Sequence, residues 1–311
     1  MLTKILYAAL ILLGAYIIFI PLPSLVCFLL LFAHTQRSRS IEENVDAGSY
    51  LAPYADTLLP AARRVRALDW RRVGTGGCGD TPLRASYLPG EGDKVALLLH
   101  GYRADPVANF CTQIEFLRSL GFGILLADER AHGESGGRFT GLGLLESEDI
   151  LSWLEWIESE SPGARVLVYG MSMGCSAAAY VSDRLPPDRV RAMVLDCGFT
   201  EPCLQLEREC RRRRLPTGLM MPWVRLFGRI FIGRDLREDT ARILARTKIP
   251  ALFFHGEADR TVPVSQGREN YEACASKKDC LFLPGAEHTL TFPAGGDAAR
   301  EKLLALINDN F

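Results

Sequence analysis

From residue 83 to the C-terminus short apolar runs alternate with helical periodicity, and this alternation restricts the fold more than any other feature. Residues 95–99 (VALLL), 122–127 (FGILLA), 166–169 (VLVY), 192–195 (AMVL) and 251–254 (ALFF) are uninterrupted apolar runs. They are short for core helices and too uniformly apolar for half-exposed strands, so each predicts a strand buried on both faces. Residues 83–88, bracketed by Gly76-Gly77 and Pro89-Gly90, predict an edge strand, and 281–283 a last strand. Between them, 110–120, 144–157, 176–184, 239–246 and 298–307 read as helices; in 144–157, Leu151, Leu154 and Ile157 share a face. An insertion at about 200–240 interrupts the pattern. Strands alternating with helices predict an α/β fold, a mainly parallel sheet with helices on both faces.

The 311 residues are 48% hydrophobic and 23% charged, which supports a packed core and argues against wholesale disorder. Lysine and arginine (36) nearly cancel aspartate and glutamate (37), so no basic excess points to nucleic acid as a partner. The nine cysteines form no disulfide framework: the count is odd and one lies in the apolar leader. Spacings of seven (Cys203, Cys210) and six (Cys274, Cys280) fit no common zinc pattern. Buried free thiols in a reducing compartment are expected, with a Cys274–Cys280 bridge left as the alternative.

Residues 5–32 contain no charge, and about 20 apolar residues suffice to span a bilayer core as a helix. Pro21 and Pro23 interrupt the run, so it reads either as one kinked span or as a span over about 5–20 followed by an interfacial or re-entrant piece. A cleaved signal peptide fits less well, because the apolar run continues past the prolines and no small-residue cleavage site follows. The expectation is an N-terminal anchor over 1–33, a juxtamembrane connector over 34–79 with some helix near 60–68, and an α/β domain over 80–311. Lys4 flanks the leader on one side and Arg37 and Arg39 on the other, which leans weakly towards a cytoplasmic domain.

The sharpest chemical signal is Gly170-Met171-Ser172-Met173-Gly174, a G-x-S-x-G directly between a predicted strand and a predicted helix. So tight a turn strains the serine backbone and leaves no room for side chains at the two glycines, while presenting the hydroxyl at a helix N-terminus. Taken alone, the motif fits an ordinary turn with a capping serine equally well. Its context argues otherwise. A strand ending in His100-Gly101-Tyr102 precedes it, and a loop there supplies a backbone amide to an oxyanion; Tyr102 and Met173 are the expected donors. His255-Gly256-Glu257-Ala258-Asp259 follows a buried strand and delivers Asp259 to the sheet edge where ligands bind. Glu287-His288 lies between the last strand and the last helix, so His288 is the expected base and Asp259 its carboxylate partner. The order Ser172, Asp259, His288 is the one such a fold requires.

With these motifs (LLLHGYRAD, LLADERAHGES, YGMSMG, LFFHGEADRTVP and GAEHTL), residues 80–311 resemble the α/β-hydrolase superfamily, in the style of its membrane-anchored bacterial and ABHD-type members. The resemblance implies an eight-stranded sheet, a Ser172–His288–Asp259 triad and no metal or organic cofactor; the apolar insertion and the membrane tether suggest a small acyl or ester substrate of lipid-like character, although a tether also serves enzymes with soluble substrates. The resemblance further implies hydrolysis of an ester, thioester or amide, or else acyl transfer, peptidase action on small peptides, or binding without catalysis. In such proteins an insertion after the sixth strand usually forms a cap. Here it carries the arginines 211–214 and an apolar stretch through Phe231, read as a solvated face or as a surface for lipid headgroups or substrate.

Other candidates have plainer readings. His100, His132 and His255 are expected to structure their loops; a metal site at Asp128 and His132 lacks further ligands. Cys175 lies in the helix beyond the turn and reads as core. Asp196, at the end of strand 192–195, is the rival to Asp259 for the acid.

Overall fold

The computed structural model describes residues 1–34, 41–45 and 49–311. Arg37 and Arg39, on which the orientation argument leans, lie outside the described residues. Two compact units emerge: His34–Thr200 with Asp239–Phe311, and Met1–Ala33 with Glu201–Glu238.

The smaller unit contains α1 (Leu2–Phe19) and α2 (Pro21–Phe32), joined at Ile20, and together Thr3–Phe32 is long and apolar enough to cross a membrane. That is a test of length and composition, which a signal sequence also passes. Pro21 and Pro23 sit in the first turn of α2, where a missing amide hydrogen costs no intrahelical bond; hence a break at Ile20 and not the loss of the helix.

The larger unit opens with α3 (Ile41–Asn44) and α4 (Ala55–Arg66), followed by β1 (Arg71–Gly77), β2 (Thr81–Leu88), β3 (Lys94–Leu99) and α5 (Pro106–Ser119). Then come β4 (Gly123–Asp128), α6 (Glu146–Glu160), β5 (Arg165–Met171), α7 (Met173–Val181) and β6 (Val190–Asp196). The smaller unit takes α8 (Pro202–Arg212), α9 (Thr217–Phe227) and a π-helical turn at Gly228–Ile232. The larger unit resumes with α10 (Thr240–Leu244), β7 (Ala251–Gly256), α11 (Val264–Ala273), β8 (Lys278–Leu283) and α12 (Thr291–Asn310).

The eight strands form one sheet in the order 1-2-4-3-5-6-7-8, with β2 antiparallel to both neighbours and every pair from β4 to β8 parallel. Successive strand residues point to opposite faces. Leu97 and Leu99 therefore join one buried layer with Trp153 and Leu154 of α6, and Ala96 and Leu98 join the other with Phe110 and Ile114 of α5. All nine thiols are free.

One expectation differs from what is found. Residues 83–88 are not an edge strand: β1 lies outside β2, pairing Arg71 with Tyr87 and Gly77 with Thr81. Within the expected connector over 34–79, α4 buries Leu58, Ala61, Ala62 and Val65 and shares the core with α5.

Candidate active site

In a parallel sheet, strands in register end together, so the loops leaving their C-terminal ends share one rim. Leu99 pairs with Gly170, Met171 with Asp196, Asp196 with Phe254, and Gly256 with Leu283. The next residues along β3, β5, β7 and β8 thus lead to Gly101, Ser172, Asp259 and His288 at that rim.

Ser172 stands at the N-cap position of α7 with φ 55° and ψ −112°, a positive-φ conformation that serine adopts only under constraint. The flanking glycines explain why the turn closes. A Cβ on Gly170 would stand 2.3 Å from the Gly174 carbonyl oxygen, and one on Gly174 would stand 2.2 Å from the Leu99 carbonyl oxygen. The Ser172 amide donates to the Asp196 carbonyl at 2.8 Å, fixing the turn to β6.

His288 Nε2 lies 2.9 Å from Ser172 Oγ, and His288 Nδ1 lies 2.6 Å from Asp259 Oδ2. The other Asp259 oxygen accepts from the amides of Thr261 and Val262, both at 2.8 Å. Burial disfavours the Asp259 charge, yet His288 and His255 outweigh it and hold the carboxyl well below the usual carboxylate range. An ionised Asp259 places the proton on Nδ1, leaving Nε2 to accept from the serine hydroxyl.

Asp196 faces elsewhere. It is fully buried and accepts from the Tyr169 hydroxyl at 3.2 Å, and burial pushes its carboxyl up to about 7. His100 is also buried: burial lowers its pKa to about 4, Nδ1 donates to the Gly101 carbonyl at 2.7 Å, and Nε2 accepts from the Glu129 amide at 3.1 Å. It holds the loop after β3. His132 Nδ1 meets the Arg130 carbonyl at 2.8 Å, burial brings its pKa to about 3, and Asp128 is engaged by Arg72. His255 Nε2 lies 2.9 Å from the Val262 carbonyl and 3.3 Å from Asp259, bracing the acid loop. Cys175 is buried, and burial pushes its thiol above the ordinary range.

Of the two expected oxyanion donors, Met173 occupies the first turn of α7, where amides lack intrahelical acceptors. Tyr102 follows Gly101, whose Cβ position is 3.3 Å from Ser172 Cβ, so its loop lies against Ser172. The Gly101 amide is held at 2.9 Å by Asn109 Oδ1, from α5.

Three neighbours escaped the sequence reading. Asn109 is one; it sits in an ordinary helix start with no motif to mark it. Tyr50 is another, an exposed phenol whose electrostatic neighbours include Asp259 and Glu287, beside the imidazole. Cys197 is the third, with φ 48°, and its Sγ groups with Asp259 and His288 within 4.8 Å. Of that trio, Asp259 and His288 are already committed to each other, to Ser172 and to the amides of Thr261 and Val262, and burial pushes the Cys197 thiol far up.

A mainly parallel eight-stranded sheet with a serine on the turn after its fifth strand defines the α/β-hydrolase fold. The family model described as alpha/beta hydrolase fold matches residues 95–217. The chain is 25% identical over 209 residues to the uncharacterized protein YqkD of Bacillus subtilis, covering 66% of this chain and 68% of that one. It is 28% identical over 220 residues to human protein ABHD12B, covering 64% of this chain and 57% of the longer relative. A Pyrococcus furiosus esterase structure superposes with TM-score 0.66 at 23% identity, covering 79% of this chain and 93% of the esterase. The chain has the α/β-hydrolase fold, and over residues 95–217 its sequence matches the model of that fold.

Proposed function

We propose that the chain is a membrane-anchored serine hydrolase that cleaves a carboxylic ester, thioester or amide, with Ser172 as nucleophile, His288 as base and Asp259 as its acid partner. The observation that carries this reading is the unbroken line from Ser172 Oγ through the imidazole of His288 to Asp259, at 2.9 and 2.6 Å. Ser172 Oγ attacks the carbonyl carbon as its proton passes to His288 Nε2. The amides of Met173 and Tyr102 stabilise the oxyanion. Collapse expels the leaving group, which takes the proton from His288, and leaves an acyl-serine. Water then gives a proton to His288 and attacks the acyl carbon; acid and free Ser172 follow. No metal or organic cofactor enters these steps. The apolar helices of Thr3–Phe32 serve as the anchor, and small acyl or ester substrates of lipid-like character fit such a location.

The test is labelling by a fluorophosphonate probe, with aryl ester turnover beside it. Wild type labels and Ser172→Ala does not, with turnover falling by about 10⁴ or more. Unchanged turnover in Ser172→Ala refutes the assignment. Better turnover of two-carbon than eight-carbon acyl chains refutes the lipid-like substrate alone.

A further inference from the structure

The unit built from Met1–Ala33 and Glu201–Glu238 brings two apolar surfaces together. On the insertion, Leu219, Leu226, Ile230 and Phe231 are 55, 42, 61 and 42% exposed. On α1, Leu12 and Phe19 are 71 and 73% exposed. Aromatic contacts join the two. Trp223 Nε1 of α9 donates to the Tyr16 hydroxyl of α1 at 3.1 Å, and Phe28 of α2 packs on Phe227 and Phe231 with ring centroids 6.1 and 5.6 Å away.

The position of Tyr16 matters. It stands twelve residues beyond Lys4, the one charged side chain ahead of it. At ~1.5 Å per residue that is about 18 Å along the helix, against a hydrocarbon core of about 30 Å. A tryptophan bonded to Tyr16 lies beside the apolar helix at mid-length and not at its charged end. Once α1 is in lipid, water no longer surrounds its neighbour α9, and the exposed leucine, isoleucine and phenylalanine side chains have acyl chains to face.

Charge names the lipid. Nine arginines oppose five acidic residues over 201–238, a net +4, whereas the whole chain carries −1, leaving −5 elsewhere. Arg211, Arg212 and Arg213, at the end of α8, are 71, 56 and 68% exposed at their side chains; Arg211 pairs with Glu207 at 3.4 Å and Arg212 and Arg213 share Glu209 at 3.6 and 2.8 Å, so three arginines face two carboxylates. Of the two arginines within the apolar stretch, Arg229 is neutralised by Asp235 at 2.6 Å and Arg225 is half-buried. An apolar helix bordered by a basic cluster binds an anionic leaflet, its cations at the headgroups.

We infer that residues 217–232 form a second membrane-inserting element, seated beside α1 and α2 in a bilayer containing anionic lipid, with the arginines 211–214 at its headgroup level. This rests on the anchor reading proposed above. The test uses the full chain with vesicles of phosphatidylcholine, with or without about a third phosphatidylglycerol, and with acyl-brominated lipids that quench tryptophan on contact. The expected result is flotation with the vesicles and a quenched fluorescence component that disappears in Trp223→Phe. Phosphatidylglycerol strengthens that component at least about twofold, and replacing Arg211, Arg212, Arg213 and Arg214 by glutamine removes the gain. Equal quenching in wild type and Trp223→Phe, in protein that floats, overturns the inference and leaves the anchor standing. Failure to float overturns both. Should Trp223→Phe melt at a lower temperature than wild type, Ile230→Glu with Phe231→Glu serves instead: these substitutions weaken Trp223 quenching, and undiminished quenching overturns the inference.

Discussion

Replacing Asp259 with asparagine separates the carboxylate's role from its packing, because the two side chains differ little in shape. Oδ1 of Asp259 accepts from two backbone amides, Thr261 and Val262, at 2.8 Å each, and Oδ2 faces His288 Nδ1 at 2.6 Å. An asparagine can present only one oxygen. If it turns that oxygen to the imidazole, its NH₂ confronts two amide donors and leaves both unsatisfied, at about 1–3 kcal/mol each. The favoured orientation keeps the oxygen on the amides and points NH₂ at His288 Nδ1. That nitrogen must then accept, so the ring proton moves to Nε2, the atom that has to take the serine proton. The loss expected for such a trapped tautomer is about 10⁴ in kcat, or about 5 kcal/mol, with KM nearly unchanged. Steady-state kinetics on an aryl ester, with a thermal melt to show that the fold survives, reads this directly. Turnover within tenfold of wild type refutes the argument and moves the acid to another residue.

Asp196 tests the complementary claim. Its buried carboxyl titrates near 7, against about 4 when unfolded, so between those pH values the native state retains a proton that the unfolded chain has released. Stability therefore falls as pH rises through that window and stays low above it, by about 4 kcal/mol at most. Denaturant midpoints of Asp196→Asn should show a flatter pH profile than wild type, with turnover little changed; parallel profiles reject the buried-carboxyl account. Gly174→Ala forces a Cβ to within 2.2 Å of the Leu99 carbonyl, a backbone atom that cannot swing away. Loss of about 3 kcal/mol or more is expected, visible as a lower melting temperature, while Gly76→Ala, with nothing within 4 Å, should be nearly silent. Equal melting temperatures for the two glycine variants reject the steric argument.

The sheet and the strained turn at Ser172 were legible because their signals are local. A buried parallel strand is an apolar run, and a strained serine between glycines is a five-residue pattern. β1 was not legible for the opposite reason. Its sequence RRVGTGG has neither alternation nor an apolar run, since it is an outer strand paired on one side only and mostly half-exposed. α4 was read as helix yet assigned to a connector, because its helical character is local while its packing on α5 is tertiary.

Choosing between the two acids shows where sequence order runs out and register takes over. Asp196 and Asp259 both follow buried strands, and either could in principle reach an imidazole. Asp196, however, is still inside the ladder, opposite Met171 on one side and Phe254 on the other, and its side chain ends at Tyr169. Asp259 lies three residues past the end of β7, where the chain has left the ladder and its loop amides can turn inward to hold one carboxylate oxygen. A residue locked in the sheet has its direction set by the pleat; one just beyond it can be aimed. The carboxylate next to the imidazole is the second kind, and the same holds for the residues at 172 and 288, each of which follows a strand end and is aimed by a turn.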